Sequence, residues 1–286
     1  MAQSIHRRGF SVAVMSGCFM SKVASAQAVV PLEMGLLPNI SARALLSQYQ
    51  PLREYLSRAL QRPVHLSTAS DWSVFHQRMA SPEYDLVTTA PHMARLAQLD
   101  HGWQPMVQML PDIKCLLVCA ATRPLRSVAE LRGKTLVLSN PQSLVALHGM
   151  RWLASVGLRS GQDFGLVRTP TDDSVGNVLL RGDATAALIS DGELRSMPEV
   201  VRDRLRTWTA FAEVPGFMIL ASARVDAAML RQFRQHLLAF ADASPAEAAA
   251  FMRATGFTGI REIAPGVLQS MDVYVHATRE KLVNAS

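Results

Sequence analysis

Short apolar runs rich in branched residues alternate with amphipathic helical segments along most of this chain. Runs at residues 32–37, 85–88 and 135–138 are each followed by a segment whose apolar residues recur every three or four positions. Such alternation is typical of α/β proteins, in which helices cover a sheet of parallel strands. The pattern therefore predicts an α/β protein.

The 286 residues are enough for one large domain or two smaller ones. Two connections, near residues 110–113 and 214–217, bracket a continuous α/β block. We expect residues 27–112 and 217–286 to form lobe 1, residues 113–216 to form lobe 2, and the two connections to act as a hinge. Ligands usually bind in the cleft between such lobes.

The N-terminal segment has the pattern of a signal peptide. Basic Arg7 and Arg8 precede an apolar stretch that ends in the small residues Ala24-Ser25-Ala26, so residues 1–26 predict export. Arg7 and Arg8 partly match a twin-arginine signal, and Cys18 stands in a partial lipoprotein box that would tether the protein by lipid. A disordered or mitochondrial-type leader has a similar composition and stays an alternative.

Charge and motif content exclude several classes of function. Lys and Arg total 29 against 23 Asp and Glu, but Arg7, Arg8 and Lys22 belong to the leader, and the remaining excess is scattered. This pattern argues against a dedicated nucleic-acid binder. The chain lacks a nucleophile elbow, a His-Glu-x-x-His helix and a phosphate loop, so we expect no catalytic residues, cofactor or metal. An exported enzyme stays an alternative, because catalytic groups can converge from distant positions.

Cys115 and Cys119 lie in one apolar run that predicts a strand. Their Cα atoms would be about 13 Å apart at the rise of a strand, beyond the ~7 Å limit for a disulfide. We therefore expect two free thiols on one face of the strand, each buried as a small hydrophobe. In the alternative, Cys115 reaches the cleft and binds a thiophilic ligand.

Several short motifs follow one another along the chain in a characteristic order. They are Gly35-Leu36-Leu37-Pro38, Gln50-Pro51-Leu52, Tyr84-Asp85-Leu86, Ala90-Pro91, Leu131-Arg132-Gly133-Lys134-Thr135, Asn140-Pro141-Gln142-Ser143 and Leu180-Arg181-Gly182-Asp183. In this order the motifs resemble those of the phosphate-, phosphite- and phosphonate-binding periplasmic proteins of ABC transporters. The resemblance runs from about Leu32 to Ala221, and the helical tail also fits.

The resemblance implies a type 2 periplasmic-binding-protein fold, in which each lobe is a mixed sheet flanked by helices. It implies a monomeric periplasmic protein without catalytic activity, which closes over a small anionic ligand and delivers it to an ABC permease in the inner membrane. An alternative on the same fold is a sensor subunit that reports arsenite or another oxyanion to a membrane histidine kinase, for which Cys115 would be a thiol ligand.

Three predicted helix starts offer anion-binding groups. The segments Thr88-Thr89-Ala90, 140–144 and 169–173 each precede a helix, where unpaired N–H groups and the helix dipole favour anions. Hydroxyl groups at these positions either donate to a ligand or cap their own helix. The candidate ligand contacts are Ser143, Thr88, Thr89, His92, Asp172, Asn39 and Asn140.

The chain departs from the family pattern at these starts. Ser143 keeps only the first hydroxyl of the family's Ser-Thr-Ser-Gly loop, and Ala94 stands where the family has an aromatic residue, so His92 would compensate as a donor. Asp172 stands where the family has a histidine. With Asp173 it would repel a dianion and favour an amine or a protonated ligand oxygen.

Overall fold

The computed structural model describes Met1, residues 30–169 and residues 174–283. The predicted signal peptide after Met1, with Cys18, lies outside the described residues, and so does Asp172. No helix among the described residues combines the length and the apolar character that a membrane span requires.

The described elements follow the predicted alternation. The strands are β1 (Leu32–Leu36), β2 (Val64–Thr68), β3 (Leu86–Thr89), β4 (Gln104–Leu110), β5 (Ile113–Ala120), β6 (Lys134–Leu138), β7 (Phe164–Arg168), β8 (Ala186–Ser190), β9 (Leu205–Val214), β10 (Met218–Ala221) and β11 (Gly259–Arg261). The helices are α1 (Ala42–Ala59), α2 (Trp72–Ala80), α3 (Pro91–His101), α4 (Leu144–Ser155), α5 (Ser174–Arg181), α6 (Asp191–Ser196), α7 (Glu199–Arg202), α8 (Ala227–Ala243), α9 (Pro245–Thr255) and α10 (Asp272–Val283), with 3-10 turns at Val128–Leu131 and Gln269–Met271.

Two mixed sheets form the two lobes. The sheet of lobe 1 has the order β11-β4-β10-β3-β1-β2, and the sheet of lobe 2 has the order β7-β6-β8-β5-β9. The chain leaves the first sheet after β4, builds the second and returns at β10. This arrangement confirms the predicted two-lobed α/β class, whereas the exact lobe boundaries stay a prediction.

The alternation alone predicted parallel strands, and this is wrong for the strands next to each crossing. β5 pairs antiparallel with β8 and β9, and β10 pairs antiparallel with β3 and β4. A strand that enters a sheet from the neighbouring lobe, without a covering crossover helix, is free to run against its neighbours. β1 with β2 and β3, and β6 with β7 and β8, keep the parallel pairing.

Capping side chains set the starts of the helices beside the cleft. The Asp71 carboxylate accepts a 2.9 Å hydrogen bond from Val74 N and caps α2, as the sequence predicted. Ser143 Oγ accepts one from Ala146 N and caps α4. α3 begins differently, with Pro91 after Ala90, whose side chain offers no capping group.

Buried clusters line both faces of each sheet. In lobe 1, Leu52 and Phe240 pack on one side of the sheet and Phe75 and Trp103 on the other. Lobe 2 repeats this layering around its own sheet. A fifth cluster joins the helical tail to lobe 2 through Leu144, Val145, Leu147, Met271 and Tyr274.

The tail contains one incorrect boundary. The sequence pattern of residues 265–282 predicts one helix, but α10 begins only at Asp272. Gly266 has φ 83°, in the left-handed region, which interrupts a right-handed helix. β4, β9 and β11 were not predicted at all, because polar residues and Pro105 interrupt their apolar pattern.

Candidate ligand-binding cleft

A cavity of about 170 Å³ lies between the lobes, beside the hinge. Lobe 1 contributes the turn after β1, the first turns of α1 and the end of β3. Lobe 2 contributes the start of α6, and the hinge contributes Pro111, Asp112 and Phe217. The cavity is therefore lined by residues of both lobes and of the two connections between them.

Hydroxyl and amide groups dominate the polar part of the lobe 1 wall. Asn39, Gln48, Tyr49 and Thr88 line it. Thr88 is 2 % exposed, and its Oγ1 forms no hydrogen bond of normal geometry with any described residue. Burial raises the pKa of Tyr49, and an interaction with the Thr88 hydroxyl opposes the rise. The Tyr49 hydroxyl therefore stays protonated and neutral at physiological pH.

The lobe 2 wall is acidic, but its carboxylates have protein partners. Glu193 Oε2 accepts from Ser190 N while Ser190 Oγ accepts from Glu193 N at 2.9 Å, which forms a capping box at the start of α6. Asp191 accepts from Lys114 N at 3.1 Å and forms an ion pair with Arg195. Each of these carboxylates is therefore bound to a group of the protein, and its partners Ser190 and Arg195 also line the cavity.

Asp112 ties the two hinge segments together. Its carboxylate accepts from Gln108 Nε2 at 2.6 Å, from Arg261 Nη2 at 2.9 Å and from Gly216 N at 3.4 Å. A Cβ atom at Gly216 would lie 2.8 Å from the Pro111 carbonyl oxygen and still closer to that of Met109. Only glycine permits this close approach of the two segments.

A second contact between the lobes, which we call the seam, consists of Ser73, His92, Gln142 and Lys281. His92 Nε2 donates a 2.9 Å hydrogen bond to the Gln142 carbonyl oxygen. Gln142 Nε2 donates to Ser73 Oγ at 3.1 Å and to the Lys281 carbonyl oxygen at 3.0 Å. Burial lowers the pKa of His92 to about 4, so its ring is neutral, and Nδ1 has no hydrogen-bonding partner among the described residues.

Residues 34–266 match the sequence family described as the phosphonate periplasmic substrate-binding protein of ABC transporters. The chain belongs to this phosphonate-binding family. The match spans both lobes and confirms the family that the ordered motifs indicated. The protein is thus a periplasmic substrate-binding protein that takes a small molecule and works with ABC permease components.

Solved structures of similar fold agree with the family. XAC2383 from Xanthomonas citri, solved with ATP, is 22% identical, with 87% of this chain and 98% of that chain covered and a TM-score of 0.74. PhnD1 from Prochlorococcus marinus, in complex with methylphosphonate, is 12% identical over 88% and 97%, with a TM-score of 0.74. A binding protein of an ABC phosphonate transporter from Pseudomonas aeruginosa is 13% identical over 88% and 89%, with a TM-score of 0.73.

Only some of the residues that the sequence predicted to contact ligand line the cavity. Asn39 and Thr88 line the cavity. Thr89 ends β3, is fully buried and has an Oγ1 without a hydrogen-bonding partner in the described chain. His92 belongs to the seam, and Asn140 lies beside it, where its Oδ1 accepts from Gln142 N at 2.8 Å.

Neither Ser143 nor Cys115 lines the cavity. The Ser143 hydroxyl caps its own helix, which is the alternative that the sequence left open. Cys115 is fully buried in the cluster that joins the tail to lobe 2, and it does not line the cavity. Burial, with smaller contributions from Glu193 and Asp191, raises the pKa of Cys115 to about 12, which keeps it a thiol.

Sequence reasoning missed several groups of the cleft. The sequence pattern places Tyr49 only on the apolar face of α1, and it gives Gln142 no role beyond its motif. The motif Ser190-Asp191-Gly192-Glu193 matches a capping box, so it could have indicated the acid-rich start of α6. Across the described residues, no three His, Cys, Asp or Glu side chains form a group suited to a metal ion.

Proposed function

We propose that this protein is an exported, monomeric binding protein that captures a small solute with an oxyanion group, such as a phosphonate, phosphite or phosphate. The lobes, 27–112 with 217–286 and 113–216, close over the solute, and the closed form delivers it to an ABC permease. The observation that carries the proposal is the buried Thr88 hydroxyl, which lines the cavity beside Tyr49 and lacks a normal hydrogen bond with the described residues.

Thr88 lies at the end of β3, and Ala90 separates this strand from the start of α3. Leaving a buried hydroxyl unsatisfied costs roughly 1–3 kcal/mol, so a ligand oxygen that accepts from Thr88 would recover this free energy. Ala90 gives α3 no side-chain cap, and the first N–H groups of a helix lie at the positive end of its dipole. A ligand oxygen at this point of the cleft would accept from the Thr88 hydroxyl, and the helix dipole would stabilise its negative charge.

The size of the cavity supports a small solute. Its volume of about 170 Å³ is below the roughly 300 Å³ at which pockets for drug-sized molecules begin. Two proteins of similar fold were solved with phosphorus oxyanions, methylphosphonate in one and ATP in the other. We favour the smaller class of ligand because of the cavity volume.

The sensor and enzyme alternatives receive less support. A sensor that binds arsenite through Cys115 needs an accessible thiolate, whereas this thiol is buried, has a raised pKa and lies outside the cavity lining. The family consists of binding proteins, and the polar groups that line the cavity bind and orient without forming a nucleophile–base pair.

Calorimetric titration tests the proposal. We expect phosphonate, phosphite or phosphate to bind, and sulfonates, carboxylates and amines to bind at least tenfold more weakly. Thr88→Val keeps the shape of the side chain and removes the hydroxyl, so the dissociation constant should rise about threefold to a hundredfold. Thr207→Val, the same change on an exposed part of β9, is the control and should have no effect.

Three results would contradict the proposal. Binding of amines alone would assign the cavity to cations, and equal affinities of wild type and Thr88→Val for an oxyanion would remove Thr88 from the site. Multiple turnover of a phosphoester would favour the enzyme alternative.

A further inference from the structure

We propose that Gln142 is a latch that joins the lobes and holds the protein closed before any ligand binds. Its side chain in lobe 2 bonds to Ser73 on α2 and to Lys281 on α10, and its carbonyl oxygen accepts from His92 on α3. The inference concerns closure of the family fold and does not depend on which solute the cavity takes.

Two of the three partners of the latch are well buried, whereas the bond to the Lys281 carbonyl oxygen is exposed. Ser73 is 4 % exposed and His92 is fully buried, although both lie at the surface where one lobe meets the other. Hydrogen bonds shielded from water are electrostatically stronger than exposed ones, and a partner left unsatisfied is penalised. The three bonds through Gln142 therefore favour contact between the lobes over separation.

The loop before α4 presents Gln142 in a fixed orientation. Asn140 Oδ1 accepts from Gln142 N at 2.8 Å, which is the hydrogen bond of an Asx turn. Pro141 restricts the intervening backbone, and Ser143 N donates to the Asn140 carbonyl oxygen at 3.1 Å. Because these contacts already order the loop, formation of the latch costs little additional conformational entropy.

Helix α10 supplies an acceptor that needs a partner. The last four carbonyl groups of a helix have no bond within it, and Lys281 is in the last turn of α10. The Gln142 amide from lobe 2 satisfies the Lys281 carbonyl oxygen. Separation of the lobes would therefore expose both a helix end and the amide that caps it.

The same helix is fastened to lobe 1 by two ion pairs. Arg95 pairs with Asp272 at 2.6 Å, and Arg279 pairs with Asp100 at 2.7 Å. These pairs attach both ends of α10 to α3. The contact of α10 with lobe 2 has no ion pair of this kind among the described residues. It includes apolar packing, the bond from Gln142, a hydrogen bond between Tyr274 and His148, and a cation–π contact of Arg151 with Tyr274. Because the ion pairs keep α10 attached to α3, separation of the lobes would part α10 from α4. This separation would break the bonds of Gln142, which lies in the loop before α4.

The latch also sets ligand affinity. When only the closed fraction is competent to hold ligand, the apparent dissociation constant rises as that fraction falls. Loss of the two side-chain bonds should raise the ratio of open to closed protein about tenfold. Ligand dissociation should accelerate in the same variant, since release requires opening.

Spin labels placed on each lobe test the latch without ligand. Ala80 on α2 and Ala154 on α4 are exposed and suit replacement by cysteine, in a Cys18→Ser background. The native Cys115 and Cys119 are fully buried, so they stay unlabelled. Pulsed electron paramagnetic resonance on the labelled protein should show one short distance, and Gln142→Met should add a longer one while keeping the side-chain volume.

Two further variants separate a latch from a general structural role. Gln162→Met makes the same replacement at an exposed site in lobe 2 and should leave the distance unchanged. Gln142→Glu should open the protein further, because a carboxylate opposes the negative end of α10. An unchanged distance in both Gln142 variants, or a lowered melting temperature without a new distance, would overturn the latch even where oxyanion binding holds.

Discussion

The cavity and the seam are built from similar elements and differ in what satisfies their polar groups. Each lies where a strand end or loop of one lobe meets a helix start of the other. In the cavity, the buried Thr88 hydroxyl lacks a normal hydrogen bond with any described residue. In the seam, the chain supplies the Gln142 amide itself. The comparison teaches that one backbone arrangement can bind a solute or bind the opposite lobe, depending on the side chains that reach it.

The two regions also differ in how they tolerate charge. The carboxylates beside the cavity pair with Arg195, Arg261 and backbone N–H groups. The seam has the neutral His92 instead, with a pKa lowered to about 4 by burial. Protonation of His92 would place a charge where burial opposes it, so acid should weaken the seam.

The largest effect is expected at the two connections between the lobes, which lie beside the cavity. Gly216→Ala would place a Cβ atom against the carbonyl oxygens of Met109 and Pro111, which are backbone atoms that cannot move independently. We expect the free energy of unfolding to fall by about 3 kcal/mol, measured by urea denaturation. Gly165→Ala is the control, because its Cβ would have no atom closer than 3.9 Å. Equal stability of the two variants would contradict the close hinge contact.

Acid should open the seam selectively. Opening restores His92 to the ordinary pKa of about 6.5, so the open form binds more protons below that pH, and closure weakens as the pH falls from about 6.5 towards 4. We expect the ratio of open to closed protein to rise roughly tenfold between pH 7 and pH 5. The labelled pair on the two lobes measures this ratio. His148, with a pKa lowered by burial and by Arg151, acts in the same direction.

Two histidine variants identify the source of this pH dependence. His92→Gln keeps a donor towards Gln142 and removes the titrating ring, so most of the pH effect on closure should disappear. His76 also has a pKa lowered to about 4, by burial and by His101, but it lies within lobe 1. His76→Gln should change the pH dependence of unfolding and leave that of closure intact; the reverse result would place the switch outside the seam.

Ser143→Ala separates capping from ligand contact. Because Ser143 Oγ accepts from Ala146 N at the start of α4, the variant should lower the free energy of unfolding by about 1 kcal/mol. The dissociation constant of a ligand in the cavity should stay within about twofold, since Ser143 is not part of its lining. A tenfold loss of affinity without loss of stability would restore Ser143 as a ligand contact.

The sequence predicted the fold better than the site, for physical reasons. Hydrophobic periodicity and the Asp71 cap act over a few residues, so the elements were visible locally. The pairing of Gln142 with Ser73 and Lys281 joins residues 69 and 139 positions apart, and no local pattern predicts such contacts. Thr88 was a candidate because it lies in the short segment before a predicted helix start, whereas Tyr49 has the spacing of any other apolar residue of α1.

The smallest effect is expected for the thiols. Cys115 and Cys119 share a face of β5, and both are buried. Because burial keeps Cys115 a thiol with a pKa of about 12, neither Cys115→Ala nor the matched Cys119→Ala should change ligand affinity measurably. Thermal shifts with phosphonate and with arsenite compare the two classes of ligand. An arsenite shift that only Cys115→Ala abolishes would transfer ligand binding from the cavity to the strand and favour a sensor over a transporter component.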